Sequence, residues 1–250
     1  MGYEHYIKRL DSENQRVYRK MHETFLGYKQ MVEIDSYEMD YNKILNTYFD
    51  LYLDHPELFY TGPSCSLNYI DNGNGTMHYV INGEFISNKY IIEKRAKVIQ
   101  DFLTSFRKKC RLKSDKEIIK MWLIWLIKNV EYSINNLMNQ NASRVLVDLV
   151  GQCSGAAAAT KLVFDYLGID AIIIYGDAVD ERGREAHAWN IVKVDGEWYQ
   201  LDPTWVFGMN KNVPEGKYDF RYALRSDETF SKDHDWKREE FPKCNKDLTL

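Results

Sequence analysis

Three residues with complementary chemistry fall in the stretch 151–205: Cys153, His187 and Asp202. A thiol that attacks, an imidazole that takes its proton and a carboxylate that orients the imidazole are the set needed for nucleophilic acyl transfer. Taken singly, each has a plainer use. A cysteine in a helix is usually a small buried hydrophobe, a strand histidine a satisfied structural residue, and an aspartate at a strand end a turn cap. What favours catalysis is the joint placement of the three, which depends on the elements around them.

Cys153 stands just ahead of a run in which Leu162, Val163, Tyr166 and Leu167 recur at helical spacing, and Gly168 supplies the stop. The thiol therefore sits at a helix N-terminus, where unpaired N–H groups and the helix dipole favour thiolate and lower a reference pKa of about 8.5. Gly155 and Ala156 through Ala159 keep the first turns slim, so that a sheet or a substrate backbone can come close. Ala171–Gly176 is an apolar, β-branched run and reads as a buried strand. Two further strands, Ala186–Val194 and Glu197–Asp202, flank Asp195-Gly196, a strong two-residue hairpin signal. With Val194 facing Glu197, counting outward puts Trp189 opposite Asp202. His187 then shares the Trp189 face, diagonal to Asp202 at about 7–8 Å between Cα atoms.

These residues carry a family resemblance. Gly-Gln-Cys-Ser-Gly at 151–155, His-Ala-Trp-Asn at 187–190 and Asp-Pro-Thr-Trp at 202–205 resemble the core of the transglutaminase-like superfamily of papain-fold cysteine enzymes, bacterial members in particular. The lead-in at 145–153 fits as well, and the segments 55–60 and 128–133 resemble flanking parts of bacterial members more loosely. The resemblance implies Cys153 as nucleophile, His187 as base and Asp202 as orienter. It also implies an α+β papain-like/transglutaminase-like fold, with the cysteine helix packed on an antiparallel sheet and no metal or organic cofactor. Gln152, Trp189 and Tyr132 are candidates for the oxyanion site or the groove.

Two departures bear on substrate choice. Gly155-Ala156-Ala157 stands where relatives commonly have Gly-Tyr-Ala, and Val206-Phe207-Gly208 comes after the Asp-Pro-Thr-Trp stretch where many have acidic residues. The small residues imply an open approach and hence hydrolysis of a peptide or protein amide through a thioester. Transglutaminase-type amine transfer and a catalytically silent protein-binding module are the alternatives.

The rest of the chain narrows the class. Its 250 residues, 44% of them apolar, suffice for a substantial core. With 33 basic and 37 acidic residues there is no polyanion footprint, so nucleic acid is not an expected partner. The most apolar stretch, 121–127, falls short of the roughly 18 residues a membrane span needs and reads as a buried helix. The cysteines, at 65, 110, 153 and 244, show no metal-ligand spacing, and a Cys65–Cys110 pair is neither required nor excluded. The first residues lack a signal peptide's pattern, so a cytoplasmic location is expected, or a secreted one if a signal was removed.

Residues 1–112 are expected to form a mainly helical region and 113–250 the catalytic core, in one compact body. Ser12-Glu13-Asn14-Gln15 reads as a capping box, and Asp40 precedes a second helix that ends near His55-Pro56. A hairpin is expected at 67–81, with His78 as an ordinary strand residue. A helix over 89–109 should turn Ile91, Ile92, Val98, Ile99, Phe102, Leu103 and Phe106 inward, and Ser114-Asp115-Lys116-Glu117 caps the next one. The loop 131–143 leads to the cysteine helix. Beyond Trp205 the pattern is weak, with Tyr218, Phe220 and Tyr222 alternating as a last strand.

Overall fold

The computed structural model describes residues 2–37, 40–133, 140–181 and 183–250. By its internal packing the chain falls into two units, Glu4–Arg95 and Ala96–Leu250, the latter with the residues up to Tyr3.

In the first unit, helix α1 (Ser12–Leu26) buries Val17, Tyr18, Met21 and Phe25, the stripe its periodicity marks. Its cap is Asp11 and not Ser12: the Asp11 carboxylate accepts the Asn14 N–H at 2.8 Å, and Gln15 reaches back to the Leu10 carbonyl. A carboxylate caps as well as a hydroxyl does and adds a negative charge at the positive end of the helix, so the frame shifts by one residue. Helix α2 (Tyr41–Asp54) starts at Asp40, whose side chain accepts the Lys43 N–H. The hairpin is longer than the alternation indicated, with strands β2 (Thr61–Asp71) and β3 (Met77–Phe85). A strand that the sequence did not reveal, β1 (Met31–Ser36), completes an antiparallel sheet of order β1-β3-β2. It alternates strictly, with Val32, Ile34 and Ser36 buried and their neighbours exposed.

Helix α3 spans Lys89–Lys109. Ile92, Ile99, Leu103 and Phe106 are buried, whereas Ile91 and Val98, expected inward, are 38% and 47% exposed. The buried set forms one narrow seam, and Ile91 and Val98 stand one position to its side.

In the second unit, α4 (Asp115–Asn129) has both halves of the Ser114/Glu117 capping box and fully buries Ile119, Trp122, Leu123 and Leu126. Two short strands, β4 (Glu131–Tyr132) and β5 (Val150–Gly151), pair in parallel, with α5 (Ala142–Val147) between them in sequence. Of the expected 131–143 loop, residues 134–139 lie outside the described residues. Helix α6 (Cys153–Leu167) begins at the cysteine and ends at Gly168, whose φ of 84° makes the left-handed C-cap.

Beyond α6 come β6 (Ala171–Asp180), β7 (Gly183–Val194), β8 (Glu197–Leu201), α7 (Pro203–Met209), β9 (Ala223–Arg225), α8 (Asp227–Phe230) and β10 (His234–Asp235). The strands form a five-stranded antiparallel sheet of order β10-β6-β7-β8-β9. Asp195 and Gly196 take φ of 50° and 83°, the left-handed pair of a tight hairpin turn, and Val194 faces Glu197. The small first turns of α6 let it lie on the sheet. Ala156, Ala157 and Ala159 are fully buried, and Asn190 of β7 donates to the Ala157 carbonyl at 3.1 Å. From α4, the Trp122 Nε1–H donates to Thr160 Oγ1 on the same helix.

The segment 218–222 is not a strand. Asn210 holds it instead, through a pair of bonds to the Asp219 main chain that satisfies the backbone without a ladder. All four cysteines are free thiols, so Cys65 and Cys110 are not paired. No helix among the described residues is long and apolar enough to cross a membrane.

Candidate active site

The hairpin carries His187 and Asp202 toward the start of α6. Asp202 lies just past the end of β8, where it caps α7, its Oδ1 accepting the N–H groups of Thr204 and Trp205 at 2.8 and 3.0 Å. Its Oδ2 accepts the His187 Nε2–H at 2.7 Å. With Nε2 engaged, Nδ1 is the ring nitrogen left for the thiol, and Cys153 and His187 are close enough for each to shift the other's protonation. The three side chains thus form one chain from helix start to strand to cap.

The charges depend on this order. Burial works against an ionised Asp202, but the His187 charge and hydrogen bond, helped by His234, hold its carboxyl well below the usual range. Burial likewise opposes an imidazolium at His187, and the Asp202 charge and hydrogen bond outweigh it, raising His187. For Cys153, burial pushes the thiol up, while His187 and the Ala188 backbone N–H pull it down by more, so the net shift is downward. Its place as the first residue of a 15-residue helix adds the dipole in the same direction. A thiolate–imidazolium pair is the state this geometry favours.

Four other residues complete the surroundings. Trp189 is fully buried, donates its Nε1–H to Gln200 and stacks 6.0 Å from the His187 ring, so it floors the site and does not line a groove. Tyr132, 49% exposed, does line the opening, a cavity of about 350 Å³ shared with Asp180, Glu185, His187, Trp205 and Tyr222. Gln152 is the N-cap residue of α6, and its side chain does not cap the helix. The fourth is one that sequence reasoning missed. His234, on β10, sets Nε2 3.2 Å from the same Asp202 oxygen and Nδ1 2.7 Å from Asp233, and its ring lies 4.5 Å from Trp205. The only hint in the sequence is a histidine between two aspartates and before a tryptophan, at 233–236. The sheet strand there is two residues long, too short for any periodicity to show.

His187, Asp202 and His234 are close enough to ligate one ion. Yet all three are buried and the shared oxygen already accepts from both rings, so the cluster works as a hydrogen-bond relay in which a metal would take the nitrogen the carboxylate needs.

Residues 104–203 match the family described as the transglutaminase-like superfamily. This segment is similar to that superfamily over two-fifths of the chain. Cys153, His187 and Asp202 lie inside the matched residues and His234 outside them. Kyphoscoliosis peptidase of Mus musculus is 23% identical over 122 residues, 44% of this chain and 18% of the mouse protein. A solved crystal structure described as that of a TGase covers 75% of this chain and 54% of its own, at 18% identity and a TM-score of 0.41. The periplasmic domain of TgpA from Pseudomonas aeruginosa covers 56% and 57%, at 14% identity and a TM-score of 0.35. The chain therefore spans only part of the length of the relatives it matches.

Gly176 sits opposite His187 in the β6–β7 ladder, and a Cβ there would run into the Asp235 carbonyl and the Trp189 ring. Gly176→Ala should therefore push β10 off the sheet edge and move His234 with it. The expected cost is about 1–3 kcal/mol, typical of overpacking, measured as a fall in the urea midpoint. An unchanged midpoint would mean that β10 is not held where the ladder puts it.

Proposed function

We propose that this chain is a cysteine-dependent acyl-transfer enzyme that cleaves a peptide or protein amide, with Cys153 as nucleophile, His187 as acid and base, and Asp202 as orienter. One observation carries the reading: a helix-start thiol held below its usual range by a neighbouring imidazole that donates its Nε2–H to a buried carboxylate at 2.7 Å. The name of the mouse relative, a peptidase, is consistent with it.

The thiolate adds to the amide carbonyl, and the oxyanion that forms meets the Cys153 backbone N–H at the start of α6. One such donor lowers the barrier by about 3 kcal/mol in comparable sites. The Gln152 side chain, next to that N–H, is the candidate second donor. Collapse breaks the C–N bond, and His187 gives its proton to the departing amine, leaving a thioester on Cys153. Water then attacks the thioester while His187 takes its proton, and the acid leaves with the thiolate restored. Hydrolysis is favoured over amine transfer because the opening of about 350 Å³ that His187 lines is open to solvent and is not a closed tunnel that excludes water.

The shifts set a pH window. His187 is raised to about 10, so the stabilisation it draws from its partners is complete below its unfolded value of about 6.5 and is lost as pH rises through about 10. Cys153 is lowered, so its contribution is complete above the free-thiol value and fades as pH falls through the depressed one. The ion pair holds between those limits.

Alkylation with iodoacetamide at about pH 6.5, tracked residue by residue by mass spectrometry, tests this, since thiolate fraction sets the rate. Cys153 should react first. Burial pushes Cys65 up to about 11 and raises Cys110 and Cys244 as well, so those three should lag. Incubation with p-nitrophenyl acetate should place an acetyl group on Cys153 that water removes whether or not a primary amine is added. Transfer of the acetyl group to the amine would favour the transferase, and a Cys153 no faster than the other three would leave a binding module.

A further inference from the structure

In the first unit, two histidines and a glutamate converge. His22 projects from α1, His55 closes α2, and Glu57 comes next in the short 3-10 turn Pro56–Leu58. The His55 Nδ1 and Glu57 Oε1 are 2.7 Å apart, and His22 Nε2 is 3.5 Å from the same oxygen. The two imidazoles stack at 3.7 Å between centroids. Both Nε2 atoms are buried with no hydrogen-bond partner, although His55 Nε2 lies 3.2 Å from Glu4 Oε1, close but not aligned as a bond. Buried polar nitrogens are nearly always partnered, so two in one cluster require an explanation.

We propose that His22, His55 and Glu57 form a binding site for a zinc-class divalent cation, with Glu4 behind His55. One ligand atom from each of the three residues already lies within 4.8 Å of the others, and His22 Nε2 and His55 Nδ1 are the nitrogens that approach Glu57 Oε1. A tetrahedral ion at about 2.0–2.1 Å from each asks for separations of about 3.3 Å, so the His22–Glu57 distance fits as it stands and the His55–Glu57 distance has to open by about half an ångström. Two imidazoles and one carboxylate suit zinc or its neighbours better than magnesium or calcium, and they leave the fourth position for water. Glu4 faces the remaining His55 nitrogen, where a carboxylate fixes the tautomer and strengthens the ligand. The stacked rings, 23° apart, cannot both hold an ion in plane, so one ring has to turn. His22 is the one with room, since its side chain is 17% exposed against 4% for His55.

The frame around the site is firm. The Asp54 carboxylate, one residue before His55, accepts the backbone N–H groups of His5, Tyr6 and Ile7 and the Tyr18 hydroxyl. It thereby ties the segment bearing Glu4 and the α1 turn before His22 to the end of α2. Glu57, 41% exposed, gives the ion a path from solvent.

The full-length chain, stripped with a chelator, is titrated with Zn2+ by calorimetry and with Co2+ by visible absorption. One equivalent should bind, and Co2+ should show four-coordinate bands without a thiolate charge-transfer band. His22→Ala and Glu57→Gln should each weaken binding by a hundredfold or more, and Glu4→Gln by about 10–100-fold as an outer partner. Cys153→Ala and His187→Ala should bind as the parent does. Glu57→Gln alters a half-exposed side chain and keeps the test valid if His22→Ala does not fold. Absence of saturable binding, binding unaffected by Glu57→Gln, or binding lost with Cys153→Ala would each overturn the proposal.

Discussion

Asp202→Asn should reduce acylation of Cys153 by p-nitrophenyl acetate by about 10³–10⁴-fold, the scale on which a triad fails when its orienting carboxylate becomes an amide. The magnitude depends on how the four bonds to Asp202 divide. Oδ1 accepts two backbone N–H groups of α7, and Oδ2 accepts from His187 and His234. An asparagine keeps its oxygen where the two backbone donors are, so its NH₂ faces the two rings. His187 Nε2 must then become the acceptor, which puts the proton on Nδ1, the nitrogen that faces Cys153. In that tautomer the ring cannot take the thiol proton, and the thiolate loses its imidazolium. The first-order burst of p-nitrophenolate measures the effect, with intact mass giving the acyl occupancy of Cys153. His234→Gln in the same assay should cost much less, because His234 touches Asp202 and not the thiol. A loss within about tenfold for Asp202→Asn would mean that the histidine is oriented by something else, and the proposed mechanism would fail.

The parts of this site visible in the sequence are those set by local rules. The helix start at Cys153 is marked by the small and apolar residues after it, and the Asp195-Gly196 turn fixes the pairing that brings His187 alongside Asp202. Asp202 itself is a helix cap just past the strand end, which a Pro at the next position foreshadows. His234 was not legible because its place depends on a two-residue strand pairing with β6 from more than fifty residues away in the chain, at Ala178 and Asp177. No local periodicity encodes such a contact. The failure at 218–222 has the opposite cause. Alternating aromatics give a strand signal, but the Asn210 side chain satisfies the backbone first. Asp11 against Ser12, and β1 unrecognised despite its strict alternation, are errors of frame and of length: both lie in short segments next to stronger helical patterns.

Asp165→Ala should destabilise the Ala96–Leu250 unit by about 3–5 kcal/mol, near the top of the range for single substitutions, because it leaves a buried lysine uncompensated. Lys161, on the cysteine helix, is fully buried. Its three N–H donors are all taken: by the Tyr3 carbonyl at 2.7 Å, the Ala171 carbonyl at 2.9 Å and the Asp165 carboxylate at 2.9 Å. Asp165 in turn accepts the Tyr3 N–H at 3.1 Å, so both main-chain groups of Tyr3 are fastened to one face of α6. An ammonium with three partners needs one of them to carry the opposite charge, and two carbonyls alone do not offset its desolvation. The pair as a whole is worth far less than either half suggests: Lys161→Met with Asp165→Ala removes both charges and should recover most of the loss. All six tryptophans, from Trp122 to Trp236, lie in residues 96–250, so urea unfolding monitored by tryptophan fluorescence reports this unit. A cost below about 1 kcal/mol for Asp165→Ala, or a double variant no better than the single one, would show that Lys161 finds water or another anion when its partner is removed.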